Sequence, residues 1–156
     1  MKYKRQLSFL LILVLLFTII GCGSSIKNEE PKSSGQTEVI NIEKDGEYSK
    51  PEEVAKYISI YKELPQNYLT KKKAASLGWE SSKGNLWDVT DRKSIGGDVF
   101  GNRERKLPMA KGRIWYECDV NYNGGFRGGE RLVYSNDGLI YYTKDHYNTF
   151  TEIGKR

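Results

Sequence analysis

Histidine and cysteine are scarce in this chain: one of the first and two of the second among 156 residues. Cys22 stands at the end of an N-terminal leader, so only His146 and Cys118 remain for a folded domain. A structural zinc site wants about four nitrogen or sulfur ligands and a catalytic site about three. Metal catalysis by His and Cys ligands is thereby excluded, and no cofactor is called for. Long apolar runs are lacking too. The single candidate, Leu7 to Ile20, falls short of the roughly 20 residues that a membrane-spanning helix needs. Neither sign of charge dominates, with 25 basic against 20 acidic side chains, and no internal repeat is found.

What is present begins with the leader. Lys2, Lys4 and Arg5 precede the apolar run and small residues follow it, the layout of a secretory signal peptide over residues 1–21. Ile19-Ile20-Gly21-Cys22-Gly23 resembles a lipobox, the bacterial signal at which the cysteine is lipidated and becomes the new N-terminus. Acyl chains on Cys22 would hold the protein at the outer face of a membrane; clipping downstream would release it as a secreted, extracellular protein. Lipidation also leaves Cys118 alone, so no intramolecular disulfide can form. Residues 22–46, rich in Ser, Glu, Lys, Gly and Asn, read as a flexible linker. The domain is then 47–156, with 19 basic and 15 acidic residues, a net +4. A mildly cationic body suits a polyanionic partner.

That domain opens with helices. Ser49 as N-cap, Pro51 in the first turn and Glu52 three residues on make a capping-box layout. Val54, Tyr57, Ile58 and Tyr61 recur at helical spacing, Lys62 favours the last turn, and Pro65 stops the helix. A second helix is expected from the Thr70 cap through Lys71 to Leu77, ending at Gly78, and a third turn over Leu86-Trp87-Asp88-Val89. The Gly-rich stretch Ile95 to Phe100 reads as a loop. Beyond it the period becomes two. Trp115, Glu117 and Asp119 alternate with Ile114, Tyr116, Cys118 and Val120, while Arg131 to Tyr134 and Leu139 to Tyr142 are further β-prone runs. Helices followed by an antiparallel meander specify an α+β fold, N-terminal helices packed on one face of a C-terminal antiparallel sheet. The other face is expected to stay open to solvent and to carry the chemistry.

RNA can be cut without a metal if its 2'-hydroxyl is made the nucleophile. A base must take the proton, an acid must protonate the departing 5'-oxygen, and cations must hold the charge gathering on phosphorus. Glu117 in a strand, Arg127 and Arg131 one hairpin later, and His146 after the next strand supply all of these types. Read singly, each has an ordinary alternative: a solvated histidine in a polar loop, a strand glutamate in a surface salt bridge.

Several stretches carry more than their types. Leu64-Pro65-Gln66-Asn67-Tyr68, Leu77-Gly78-Trp79, Ser82-Lys83-Gly84-Asn85-Leu86, Lys93-Ser94-Ile95-Gly96-Gly97-Asp98, Asn102-Arg103-Glu104 and Asp145-His146-Tyr147 resemble the barnase/binase family, bacterial guanyl-specific extracellular ribonucleases, without gaps from about Val54 to Ile153. The resemblance implies a microbial-ribonuclease fold and an endoribonuclease cutting single-stranded RNA after guanosine through a 2',3'-cyclic phosphate. By the same resemblance Glu117 is the general base and His146 the general acid, their roles exchanging in the hydrolytic second step. Arg127 and Arg131 hold the phosphate and Lys71 adds positive charge. Phe100, Gly101, Asn102, Arg103 and Glu104 form the base-recognition loop: Glu104 takes the guanine donors, Asn102 and Arg103 contribute backbone contacts, and Tyr147 and Phe100 stack.

Some positions depart from the family's pattern. Gly101 stands for a serine, Gly128-Gly129 for a stiffer pair beside Arg127, Gly138 for a tryptophan, and Tyr116 for an arginine. Cys118 replaces a small apolar residue and should face the core. None removes a catalytic group; Gly128-Gly129 is expected to loosen Arg127. The competing reading is a non-catalytic RNA- or protein-binding lipoprotein of the same fold. The expected partners are RNA and, again by resemblance, a small acidic inhibitor protein of the barstar type, with the membrane touched only through the lipid and the protein a monomer.

Overall fold

The computed structural model describes residues 40–154. The signal peptide 1–21, Cys22 and the linker as far as residue 39 lie outside the described residues. No described helix is long and apolar enough to cross a membrane.

Helix α1 (Pro51–Tyr61) turns Val54, Ala55, Tyr57 and Ile58 inward. Its N-cap is Lys50 rather than Ser49, and no side chain caps it. Pro51 at the start leaves one fewer N–H to satisfy, and Glu52 and Glu53 face the positive end of the helix, so the first turn holds without a hydroxyl. Ser49 is used elsewhere: its carbonyl accepts the Asn121 N–H at 2.7 Å. Lys62 is the left-handed C-cap (φ 62°), its N–H closing on Ile58. The folded part begins before residue 47. Ile42 is buried, Tyr57 donates its hydroxyl to the Lys44 carbonyl at 2.7 Å, and Gln66 donates to the Asp45 carbonyl at 2.6 Å. The polar composition of 42–46 hid these backbone anchors.

Strand β1 (Tyr68–Leu69) leads into α2 (Lys71–Ser76), where Thr70 caps as expected by accepting the Lys73 N–H. A one-turn α3 (Leu86–Val89) follows. Then come β2 (Ser94–Phe100), β3 (Trp115–Asp119), β4 (Arg131–Ser135), β5 (Ile140–Thr143) and β6 (Thr151–Glu152), forming one six-stranded sheet in chain order. All neighbours are antiparallel except β1 and β2, a two-residue parallel pair.

The stretch expected as a loop is therefore a central strand. A Cβ on Gly96 would lie 2.6 Å from the Cys118 Cβ and 2.8 Å from the Tyr68 ring, so the missing side chain lets β2 press against β3. Gly97, at φ +91°, sits where the β2–β3 register shifts. Glycine here serves close pairing, not looseness.

One face of the sheet packs Cys118, Val120, Leu132, Tyr134 and Ile140 against α1. A second cluster joins Ala74, Leu86, Ile95 and Tyr122. Cys118 is buried on this inner side, and burial pushes its thiol far up, so it packs as an apolar residue. The opposite face is not open to solvent as expected. Leu107, Trp115 and Val133 are buried there, with Phe100, Leu139, Tyr141, Tyr147 and Phe150 around them. Chain between β2 and β3 and chain after β5 fold over it, because apolar Trp115 and Val133 point that way. A cleft remains between the two loops.

Candidate active site

Alternation along β3 puts Trp115, Glu117 and Asp119 on the cleft side. Glu117 is only 7% exposed. Its Oε1 accepts the Lys71 ammonium and its Oε2 the Tyr147 hydroxyl, each at 2.6 Å. Burial pushes the carboxyl up, but the bonds from Lys71 and Tyr147, with the charges of Lys71 and Arg127, outweigh it and hold the pKa below the ordinary value. The group is thus a carboxylate at neutral pH. Lys71 is delivered by the first turn of α2, whose own Lys71 N–H donates to Asp98 at 2.9 Å; Asp98 lies opposite Glu117 in the β2–β3 register. Burial and then the Glu117 carboxylate push the Tyr147 phenol well up, so it remains a donor.

Two residues along β3, Asp119 is 1% exposed and organises both arginines. Arg127 grips it through two bonds of 2.7 and 2.6 Å. Arg131, paired with Asp119 in the β3–β4 register, brings its Nε within 2.8 Å of Oδ1. That approach is out of line for a hydrogen bond, leaving the Arg131 Nε without a partner, so the contact is one of charge. Arg127 is consequently held firmly, contrary to the loosening expected from Gly128-Gly129. Gly129 has a different use: a Cβ there would come to 3.3 Å from the Lys144 carbonyl and 3.4 Å from the His146 N–H. Its own carbonyl accepts that N–H at 3.2 Å, so the bare backbone seats the histidine turn.

His146 is exposed on the turn after β5 and, with Tyr147, has a positive φ (54° and 70°), a conformation that side chains avoid. The turn is held from within. Thr143 accepts the Tyr147 N–H at 3.0 Å and donates to Asp145, which also accepts the Thr149 N–H and hydroxyl. Bonds from Thr149 and Thr143 hold the Asp145 carboxyl down at about 2.

Beside this turn lies a cleft of about 490 Å³, walled by residues 99–104 and Lys106 on one side and His146, Tyr147, Asn148 and Phe150 on the other. All the expected base-loop residues line it. The Asn102 side chain is buried and clasps its own loop, donating to the Leu107 carbonyl at 2.9 Å and accepting the Leu107 N–H at 3.1 Å. Only its backbone is left for a ligand. Phe100 and Tyr147 stack on each other with centroids 5.1 Å apart, which leaves no space for a base between them; a base would lie against an outer ring face. Glu104 stands 75% exposed at the rim, 2.7 Å from the Lys106 ammonium.

Glu117, Arg127, Arg131 and His146 thus gather at one end of the sheet around Tyr147, whose ring is 4.9 Å from the imidazole and whose hydroxyl feels both arginines. Lys71 stands with them. Sequence reasoning missed Asp119 and Asp98 as organisers and missed Lys106 altogether. Alternation did place Asp119 beside Glu117, but the pairing with two arginines needs the β3–β4 register. Chemically, the site joins an ionised carboxylate, an accessible imidazole and fixed guanidiniums beside a pocket with aromatic walls.

A family model described as ribonuclease matches residues 51–154. A ribonuclease of Bacillus intermedius is 62% identical over 100 residues, covering 64% of this chain and 62% of that protein. One from Heyndrickxia coagulans is 61% identical over 100 residues, covering 64% of this chain and 92% of the relative. The guanyl-specific ribonuclease St of Saccharopolyspora erythraea is 40% identical over 55 residues, or 35% of this chain and 54% of that protein. The match spans less than two thirds of the Bacillus relative's length.

Proposed function

This chain belongs to the ribonuclease family, and from that premise we propose that its cleft cleaves single-stranded RNA after guanosine by acid–base transesterification. The observation that carries the reading is Glu117, ionised between Lys71 and Tyr147, with Tyr147 joining it to the His146 turn and to the field of the Asp119-bound arginines. In the first step Glu117 takes the 2'-hydroxyl proton. The 2'-oxygen then bonds to phosphorus, the bond to the 5'-oxygen breaks, and His146 protonates the leaving oxygen. A 2',3'-cyclic phosphate results. Water opens it in the second step, His146 taking the water's proton and Glu117 returning one to the 2'-oxygen. Arg127, Arg131 and Lys71 hold the charge that builds on phosphorus. Guanine offers two donors, at N1 and N2, to the Glu104 carboxylate, while backbone N–H groups of 101–103 meet its O6 and an aromatic face stacks on it.

Guanylyl(3'→5')cytidine tests the reading. The purified protein should release cytidine and form guanosine 2',3'-cyclic phosphate, with E117A and H146A each slower by about 10² to 10⁴. Binding without a cyclic product would identify a binding module instead. Base and acid need opposite protonation states, so kcat/KM should be bell-shaped in pH. Relatives named ribonuclease support RNA as the substrate, and the one named guanyl-specific supports the base preference.

The remaining parts of the proposal concern where the enzyme acts. Lipidation at Cys22 would keep it at the outer face of a bacterial membrane, and C22S should move it from the membrane fraction to the medium. A monomer would suffice, since every proposed group comes from one chain. A small acidic inhibitor protein would fit the face bearing Lys71, Arg127, Arg131 and Arg103, and should then compete with the dinucleotide.

A further inference from the structure

We propose that Lys106 is a positioning residue of this active site: its ammonium ties the base-side wall to the strained His146–Tyr147 turn and so keeps the Tyr147 hydroxyl on Glu117. The inference rests on the nuclease reading above and extends it to a residue so far without a role.

The contacts form an unbroken path. Lys106 Nζ stands 2.7 Å from Glu104 Oε2 and donates to the Tyr147 carbonyl at 3.0 Å. Tyr147 in turn stacks on Phe100 and donates its hydroxyl to Glu117 at 2.6 Å. Both residues of the 146–147 turn have positive φ, so their conformation needs outside support. The supports on their backbone are the Gly129 carbonyl, the Thr143 hydroxyl and the Lys106 ammonium. Of these, only Lys106 reaches across from the opposite wall of the cleft. A guanine base would take the Glu104 carboxylate, whereupon the ammonium keeps its second acceptor, the Tyr147 carbonyl. The same cation therefore serves the empty and the filled cleft.

The readout is the titration of Glu117. The charged and titratable groups around it are Lys71 from α2, Asp98 across on β2, Asp119 two residues along its own strand, Arg131 from β4, Arg127 from the β3–β4 connection, and His146 and Tyr147 from the turn. The Tyr147 bond is one of those that lower its pKa, so loosening Tyr147 must raise it. In K106M the stem remains and the donor is lost. We expect kcat/KM on guanylyl(3'→5')cytidine to fall about five- to tenfold, with its acid limb displaced to higher pH. K106R still donates to the Tyr147 carbonyl and should leave the limb where the wild type has it. The Glu117 carboxyl followed by carbon NMR in both variants gives the same comparison without substrate, so a protein that cleaves nothing would sink the nuclease reading and still leave this one decided. An unmoved Glu117 titration in K106M overturns the proposal, whatever the rate. So does a K106M that loses its fold, since Lys106 would then be structural.

Discussion

Changing Asp119 to Asn keeps the shape of a side chain that is 1% exposed and removes the charge on which two guanidiniums converge. Arg131 is itself 4% exposed at its side chain and stays buried with one partner fewer. Removing one member of a buried pair costs about 3–5 kcal/mol, because the surviving charge is left uncompensated. The Arg127 side chain is 19% exposed and can turn partly to water, which places the loss near the lower end, about 3 kcal/mol. A domain holds about 5–15 kcal/mol in all, so D119N should still fold at 25 °C. Urea denaturation followed by tryptophan fluorescence measures it. With a slope of about 1–3 kcal/mol/M the midpoint should drop by roughly 1–3 M at unchanged slope. Activity should fall as well, through phosphate binding, since neither arginine keeps its orientation. A loss below about 1 kcal/mol is what an exposed pair would give, and it would refute the account of Asp119 as the organiser of the site.

Other outcomes follow from the same geometry. Glu117 has a lowered pKa in the fold, so its contribution to stability is complete above the ordinary glutamate value of about 4.3 and is lost as pH falls through its lower folded value. E117Q should accordingly flatten the acid decline of the urea midpoint; an unchanged decline would mean Glu117 does not drive it. G129A places a methyl 3.3–3.4 Å from the Lys144 carbonyl and the His146 N–H, and should lower kcat. Equal rates in G129A and wild type would contradict the close seating of that turn. Arg105 holds φ 55° without being glycine, so R105G should gain about 0.5–1 kcal/mol; a loss in the melting scan would show that its side chain stabilises the loop.

Local rules accounted for the elements built from neighbouring residues. The apolar face of α1 and the Thr70 cap of α2 could be read from spacing, since an i to i+4 bond or a period of 3.6 lies within a few residues of itself. Period two along Trp115 to Asp119 put Glu117 on one side of its strand and Cys118 on the other. The motifs from Leu64 to Tyr147 pointed to the family. They marked Glu117 and His146 as the base and acid pair, although neither residue is unusual taken alone.

Contacts between distant segments were decided only on folding. Gly96 and Gly97 look like a loop until Cys118 and Tyr68 are pressed against Gly96 and the β2–β3 register shifts at Gly97. Residues 42–46 look like linker until Tyr57 and Gln66 reach their carbonyls. The face expected to be open is covered because Trp115 and Val133 collect Leu107 and Phe150 from separate loops. The arginines owe their places to Asp119 through the β3–β4 register, and Lys106 meets Tyr147 across 41 residues of chain. A pattern along the chain records which side a residue faces. Which partner waits there depends on the closing of long loops, and that the tertiary structure alone decides.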